Sequence, residues 1–321
     1  MALKKLSGLS LCFAIAHSLT ACIQTDLGAS RSFELAAGVK AKAVESLVFV
    51  KGGAFRLGDI GSDSGKPFVP LLQNNKPPIA IELDGFSIQS KEVTWGEFLV
   101  YLHDVDRVDE YTVEYGFKNA VRLPILANDD PSSPNYRKKP ARSPNYSEAE
   151  EYCAWLAEKT NLPFALPTEA QWEYVARNRG QRIAYATNTG ELVLDDYLQK
   201  ASVDPLKPVT GNVLIHSSFA VERRPVGSYQ PSPLGLYDMT GNVPEWTRDW
   251  FQSGYGHLDA SNPVASEPDE GSDKLKKSVR DIAGYGDHSG GLATVYARRA
   301  VNVDSPNQGF RCVVNHPEPI N

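Results

Sequence analysis

Three short helices, each opened by a capping box, are the strongest secondary-structure signals in this 321-residue chain. In a capping box, the side chain before the first turn accepts a hydrogen bond from that turn, and an acid or amide three residues later bonds back. The three boxes pair Thr94 with Glu97, Ser147 with Glu150, and Thr168 with Gln171. Between and after these helices the chain is rich in glycine, proline and asparagine, with 25 Gly and 22 Pro in all. This pattern predicts few, short strands and long ordered loops.

The chain from residue 47 onward is predicted to form one domain, residues 47–321. Residues 47–50 form an apolar run typical of a buried strand, and no later stretch has the composition of a linker or repeats internally. A hydrophobic fraction of 41% is ample for one packed core. The formal net charge of -6 and a pI near 5.6 argue against a nucleic-acid surface, so we expect no nucleic-acid partner.

The first 22 residues resemble a bacterial lipoprotein signal. Lys4 and Lys5 precede an apolar stretch over residues 9–16, and Ala21 then precedes Cys22. The apolar stretch is shorter than the roughly 20 residues that a membrane-spanning helix needs. We therefore expect residues 1–21 to be removed and Cys22 to be acylated. An ordinary cleaved signal peptide and a buried N-terminal helix are the alternatives.

Lipidation at Cys22 would attach the protein to a membrane. Residues 22–46 are then the lipidated cysteine and a flexible tether, since residues 23–46 have no sustained apolar face. Ile23, rather than Asp, follows the cysteine, which by analogy with Gram-negative sorting favours the outer membrane. We expect a lipid-anchored protein facing the periplasm, an oxidising compartment where disulfides persist.

Five segments of the domain, in order, resemble the formylglycine-generating enzyme (sulfatase-modifying factor) family. The most specific is LPTEAQWEYVAR, residues 166–177. The others lie in residues 52–58, 92–94, 235–246 and 307–311. The resemblance implies an α+β formylglycine-generating-enzyme fold, similar to C-type lectins and loop-rich, with few helices and short antiparallel strands. Most of the aromatic residues in these motifs are expected to be core anchors, namely Trp172, Tyr174, Trp246 and Phe310.

The family's oxidase chemistry depends on a pair of cysteines that this chain lacks. In members that make formylglycine, two thiolates shortly before the closing motif bind copper(I) and activate oxygen to oxidise a substrate cysteine. The corresponding positions fall near Gly290 and Val295, and no residue nearby has a thiol. We therefore assign no catalytic residue and expect no copper. Since no two of the six histidines have helical ligand spacing, we also expect no iron, although a triad assembled from distant loops is an alternative.

Two further cysteines, Cys153 and Cys312, match a structural disulfide found in family members. The chain has 4 cysteines. Cys12 is expected to leave with the signal peptide and Cys22 to be acylated, so Cys153 and Cys312 are the two that remain. A catalytic pair of free thiols is the alternative to the disulfide.

The resemblance also implies a calcium site in the loop from residue 238 to residue 245. The matching ligands are the side chains of Asp238 and Glu245 and the carbonyl groups of Gly241 and Val243, all hard oxygen donors. Pro244 stands where the family has tryptophan, which keeps the Val243 carbonyl but weakens the match. The alternative is that both acids bond loop amides without a metal.

Together these features predict a binding, scaffold or accessory protein. We expect a lipid-anchored, periplasm-facing domain that has lost copper-thiolate oxidase activity and has a protein partner in an envelope or secretion assembly. One alternative is a periplasmic oxidoreductase of the same superfamily that uses a non-cysteine metal site on a peptide or metabolite. The other is a lectin-like glycan binder, which rests on fold resemblance alone.

Overall fold

The computed structural model describes residues 34–108, 129–133, 135–142, 145–193, 211, 223–268, 275–281 and 293–320. Four helices lie in these ranges: α1 over residues 34–45, α2 Trp95–Asp104, α3 Tyr146–Thr160 and α4 Glu169–Ala176. The strands are β1 Leu47–Val50, β2 Gly53–Leu57, β3 Ile79–Leu83, β4 Phe86–Gln89, β5 Phe164–Ala165, β6 Glu245–Trp250, β7 Lys276–Arg280, β8 Arg298–Asn302 and β9 Val313–Val314. None of the described helices is long and apolar enough to cross a membrane.

The strands form three small antiparallel sheets. One has the order β1-β4-β9-β5, the second pairs β2 with β3, and the third has the order β6-β7-β8. Strand β9 lies between β4 and β5, with Val313 opposite Ile88 on one side and Ala165 on the other. The C-terminal strand β9 therefore connects β4, from the first part of the domain, with β5, from its middle.

Helices α2 and α4 begin where their capping boxes predict. Thr94 caps α2 together with Glu97, and Thr168 caps α4 together with Gln171. Helix α3 begins two residues earlier than predicted, because its N-cap is Asn145 and not Ser147. The Asn145 side chain accepts a hydrogen bond from the Glu148 amide at 3.0 Å, and the Glu148 carboxylate accepts one from the Asn145 amide at 2.9 Å. Because asparagine is as good an N-cap as serine, a capping box can also form at Asn145. The structure contains this earlier box.

The predicted boundary at residue 47 also differs from the structure. Residues 34–45, which were expected to belong to a flexible tether, form helix α1. Two small residues seven positions apart, Ala36 and Ala43, are buried in the core. That spacing places them on one helix face. Their small side chains gave little hydrophobic signal, so the helix was missed.

The core is built from aromatic side chains between the helices and the C-terminal segment. Phe98 of α2, Tyr152 of α3 and Phe310 contact one another with ring centroids 5.4 to 6.3 Å apart. Trp172, Tyr174, Trp246 and Phe310 are all at most 2% exposed, which confirms the expectation that they are core anchors. Beside this cluster Cys153 of α3 is joined to Cys312 by a disulfide with an S–S distance of 1.98 Å.

Candidate functional site

The loop that leads into β6 has a tightly folded backbone. Asp238 and Asn242 have positive φ angles of 55° and 59°, a conformation that asparagine and aspartate tolerate better than most residues. Gly241, at φ 93°, lies between them. The loop ends at Glu245, the first residue of β6. This local geometry turns two acidic side chains and one amide into the protein interior.

Glu245 forms a buried ion pair with Arg311. The Arg311 Nη2 lies 2.6 Å from Glu245 Oε1, and its Nε donates to both carboxylate oxygens at 2.9 and 3.0 Å. The indole nitrogen of Trp172 donates to Glu245 Oε2 at 3.0 Å. Both side chains of the ion pair are fully buried. The carboxylate is therefore surrounded by donors that already neutralise its charge.

A second pair of acids, Glu92 and Asp238, lies next to this ion pair. Asn242 donates to Glu92 Oε1 at 3.1 Å, and the Gly227 amide donates to Asp238 Oδ2 at 2.7 Å. Burial, together with the neighbouring Asp238 charge, raises the pKa of Glu92 well above its ordinary value. Burial also raises the pKa of Asp238. The two carboxyl groups also lie within side-chain hydrogen-bonding reach of each other, so a proton held by Glu92 can be donated to Asp238.

The predicted calcium ligands fit a metal only in part. Asp238 and Glu245 are close enough to interact electrostatically, as the prediction requires. However, Glu245 would have to give up Arg311 or Trp172 in order to bind calcium. In the part of the chain that is described, no group of three or more His, Cys, Asp or Glu side chains could hold a metal ion. Calcium at this loop therefore stays a prediction.

The position expected for one of the family's copper-binding cysteines is occupied by a packed aliphatic side chain. Val295 is 1% exposed, its amide donates to the Ala184 carbonyl at 2.9 Å, and its carbonyl accepts from Arg280. Gly290, the other expected position, lies outside the described residues, as does Cys22. A valine at this position supplies neither a metal ligand nor a nucleophile.

A network of buried charges between α4 and the three-stranded sheet was missed by sequence reasoning. Glu169 and Glu173 of α4 pair with Arg280 of β7 at 2.9 and 3.0 Å, and Arg298 of β8 also pairs with Glu169. Glu173 further pairs with Arg177 at 2.8 Å. The i, i+4 spacing of Glu169, Glu173 and Arg177 was the available signal, but nothing in the sequence indicates that distant arginines complete the network. Its side chains are buried and paired with one another, which makes it a structural element and not an open site.

A surface groove runs between α1 and α2. Its volume is about 550 Å³. Its walls are partly apolar, with Leu35 and Val39 from α1, Val100 from α2, and Val226. Its rim carries the charged residues Glu34, Lys42, Lys91, Glu97, Arg137 and Lys138. Four of these six residues are basic and two are acidic, so positive charge is in excess among them. Lys42 pairs with Glu97 at 2.7 Å and Arg137 pairs with Asp129 at 2.6 Å.

The structural class is a loop-rich α+β domain with an aromatic core. It has a buried Glu–Arg pair at the start of β6 and a disulfide between helix α3 and the C-terminal segment. Residues 32–316 match the family model of the sulfatase-modifying factor enzyme 1-like domain (FGE-sulfatase). The chain belongs to this family. The family predicted from the five motifs and its loop-rich α+β fold are thereby confirmed.

Curated relatives include both an enzyme of the family and much longer proteins. The formylglycine-generating enzyme of Mus musculus is 23% identical over 334 residues, covering 94% of this chain and 83% of the enzyme. The serine/threonine-protein kinase Pkn1 of Chlamydia trachomatis serovar L2 is 29% identical over 220 residues, covering 68% of this chain. The chain spans only 30–38% of the length of this kinase and two further chlamydial kinases of the same name.

A solved structure shows the same fold. PvdO from Pseudomonas aeruginosa superposes with a TM-score of 0.60 over 84% of this chain and 93% of PvdO, at 21% sequence identity. At that identity the likeness concerns the fold alone.

Proposed function

We propose that this protein is a lipid-anchored, periplasm-facing binding or accessory protein of an envelope or secretion assembly, and that its domain has lost copper-thiolate oxidase activity. The observation that carries the proposal is the fate of its cysteines. The sequence has four. One lies in the expected signal peptide, one is the expected lipid anchor, and the remaining two form the Cys153–Cys312 disulfide. No free thiol is then left to bind copper(I).

The packing around Val295 supports the same conclusion. Its side chain is buried, and its backbone is fixed by Ala184 and Arg280. Arg280 is in turn paired with two glutamates of α4. A residue that reacts with a bound substrate needs an accessible reactive group. The side chain of Val295 is buried and has no such group, so its role here is in packing.

The groove between α1 and α2 is the surface we assign to the protein partner. Its apolar walls fit the apolar side chains of a short segment of that partner. Lys91 and Lys138 on the rim form no ion pair within the described structure, so the segment is expected to carry acidic residues beside its apolar ones. Helix α1 directly follows the segment that leads from Cys22, so the groove would lie near the membrane.

A pair of tryptophan substitutions on α1 tests this assignment. A Cβ atom at Gly38 would meet nothing within 4 Å, so a side chain can be added there, and Gly38→Trp places a large one at the groove. Ala41 is exposed on the same helix and does not line the groove, which makes Ala41→Trp the matched control. The partner is first identified by cross-linking in intact cells, and its affinity for each purified variant is then measured.

We expect Gly38→Trp to weaken partner binding at least tenfold and Ala41→Trp to leave it unchanged. Cys22→Ser should release the protein from the membrane without changing that affinity. Equal affinity of the two tryptophan variants would contradict the groove as the binding surface. Failure of labelled fatty acid to attach at Cys22 would contradict the anchor.

A further inference from the structure

A second cleft, of about 370 Å³, opens between the β2–β3 hairpin and the loop that follows α4. Six of the described residues line it: Arg56, Ile60, Pro78, Arg177, Gly180 and Arg182. Three of these six are arginines and none of the six is acidic. Such a concentration of positive charge is unusual in a chain whose formal net charge is -6.

Arg177 ties the two walls of this cleft together. Its Nη1 donates to the Arg56 carbonyl of β2 at 2.7 Å, while its Nη2 and Nε donate to the carbonyls of Gly180 and Gln181 at 3.0 and 2.9 Å. Arg177 is fully buried and its charge is balanced by Glu173. The backbones that carry Arg56 and Arg182 are therefore fixed in relation to each other before any ligand arrives, which lowers the entropy cost of binding.

The charges of Arg56 and Arg182, by contrast, are poorly balanced. Arg56 donates to the Pro78 carbonyl at 3.3 Å and forms no ion pair among the described residues. Arg182 lies 3.4 Å from Asp63, whose side chain is 97% exposed. An ion pair that exposed to water contributes little. The cleft thus presents two guanidinium groups that can be recruited by a ligand.

We infer that this cleft binds a phosphoryl group, as the dianion of a phosphate monoester or of inorganic phosphate. The planar fork of a guanidinium matches the oxygens of phosphate, and two such groups balance two negative charges. Ile60 and Pro78 provide an apolar wall for the carbon part of a phosphorylated molecule. The volume falls within the range of small-ligand sites, roughly 300–1,000 Å³.

Calorimetric titration tests the inference. The protein used begins at residue 23 and so keeps every residue that the structure describes. The probes are inorganic phosphate and glycerol 3-phosphate at pH 8 and constant ionic strength. We expect both to bind, and Arg56→Gln and Arg182→Gln each to weaken binding at least tenfold. Arg179→Gln is the matched control, because Arg179 is an exposed neighbour that does not line the cleft.

Vesicles that contain phosphatidic acid, whose headgroup is a phosphate monoester, form a second arm and are compared with purely zwitterionic vesicles. Vesicle binding that requires Arg56 and Arg182 assigns the phosphoryl group to a lipid headgroup, whereas binding of the soluble probes alone assigns it to a small molecule. The inference is overturned if the wild-type protein binds neither the soluble probes nor the anionic vesicles. It is also overturned if Arg179→Gln weakens binding as much as the cleft variants do, since binding would then follow net charge alone. Thermal melting of each variant checks that it is folded.

Discussion

Arg311 shows how a single buried charge connects distant parts of this chain. Its guanidinium pairs with Glu245, and it also donates to the carbonyls of Ser90 and Tyr237 at 3.2 and 3.0 Å. These partners lie 66 to 221 residues away in sequence. The motif around residues 307–311 indicated that this arginine matters. Its partner Glu245 was instead predicted to be a calcium ligand, because the sequence alone does not show whether Glu245 lies beside an arginine or beside a metal ion.

Glu245→Gln is expected to destabilise the fold strongly. Removing the acid leaves the Arg311 charge buried without its partner, which typically costs about 3–5 kcal/mol. The free energy of unfolding, measured with urea, should fall by that amount. Glu151→Gln is the control, because it breaks a partly exposed pair with Arg107 and should cost at most about 1 kcal/mol. Equal losses for the two variants would contradict the structural role of the buried pair.

Asp249 is expected to make stability depend on pH. Burial, with the nearby Glu169 charge, raises its pKa from 3.8 to about 7. The folded state therefore holds a proton that the unfolded state has released, so this group's stabilisation is present below pH 3.8 and is lost as the pH rises towards 7. One such group changes the free energy of unfolding by at most about 1.4 kcal/mol per pH unit. Urea unfolding between pH 5 and pH 7 measures this slope.

Asp249→Asn should flatten that slope while lowering stability at pH 5. Both Asp249 oxygens accept backbone hydrogen bonds, from Glu169 at 2.7 Å and from Ala265 at 2.9 Å, and asparagine can accept only one of them. Glu92 and Asp238 also have raised pKa values, so some pH dependence should remain in the variant. A variant with an unchanged slope would show that Asp249 is ionised throughout this range.

At the scale of elements, local signals predicted the helices better than the strands. Two of three capping boxes were placed correctly, since the bonds that form them span only three residues. The third was displaced because Asn145 offers an equivalent box two residues earlier. Helix α1 was missed because the residues it buries, Ala36 and Ala43, are small. The two-residue strands β5 and β9 have no local signal, and only long-range pairing defines them.

At the scale of the whole molecule, the family motifs predicted the fold, whereas the interactions between motifs had to come from the structure. The network of Glu169 and Glu173 with Arg280 and Arg298 spans 107 to 129 residues. Single-sequence reasoning has no means of pairing residues so far apart. The same holds for the cleft around Arg56 and Arg182, whose walls come from separate segments.

Copper binding tests the central claim most directly. The mature protein, with its disulfide intact, is titrated with copper(I) in ascorbate and then incubated aerobically with a cysteine-containing peptide, whose mass is followed. We expect no stoichiometric copper and no oxidation of the peptide beyond that caused by copper alone, since neither Val295 nor the Cys153–Cys312 pair offers a thiolate. One tightly bound copper ion per chain, together with protein-dependent oxidation of the peptide cysteine, would contradict the account.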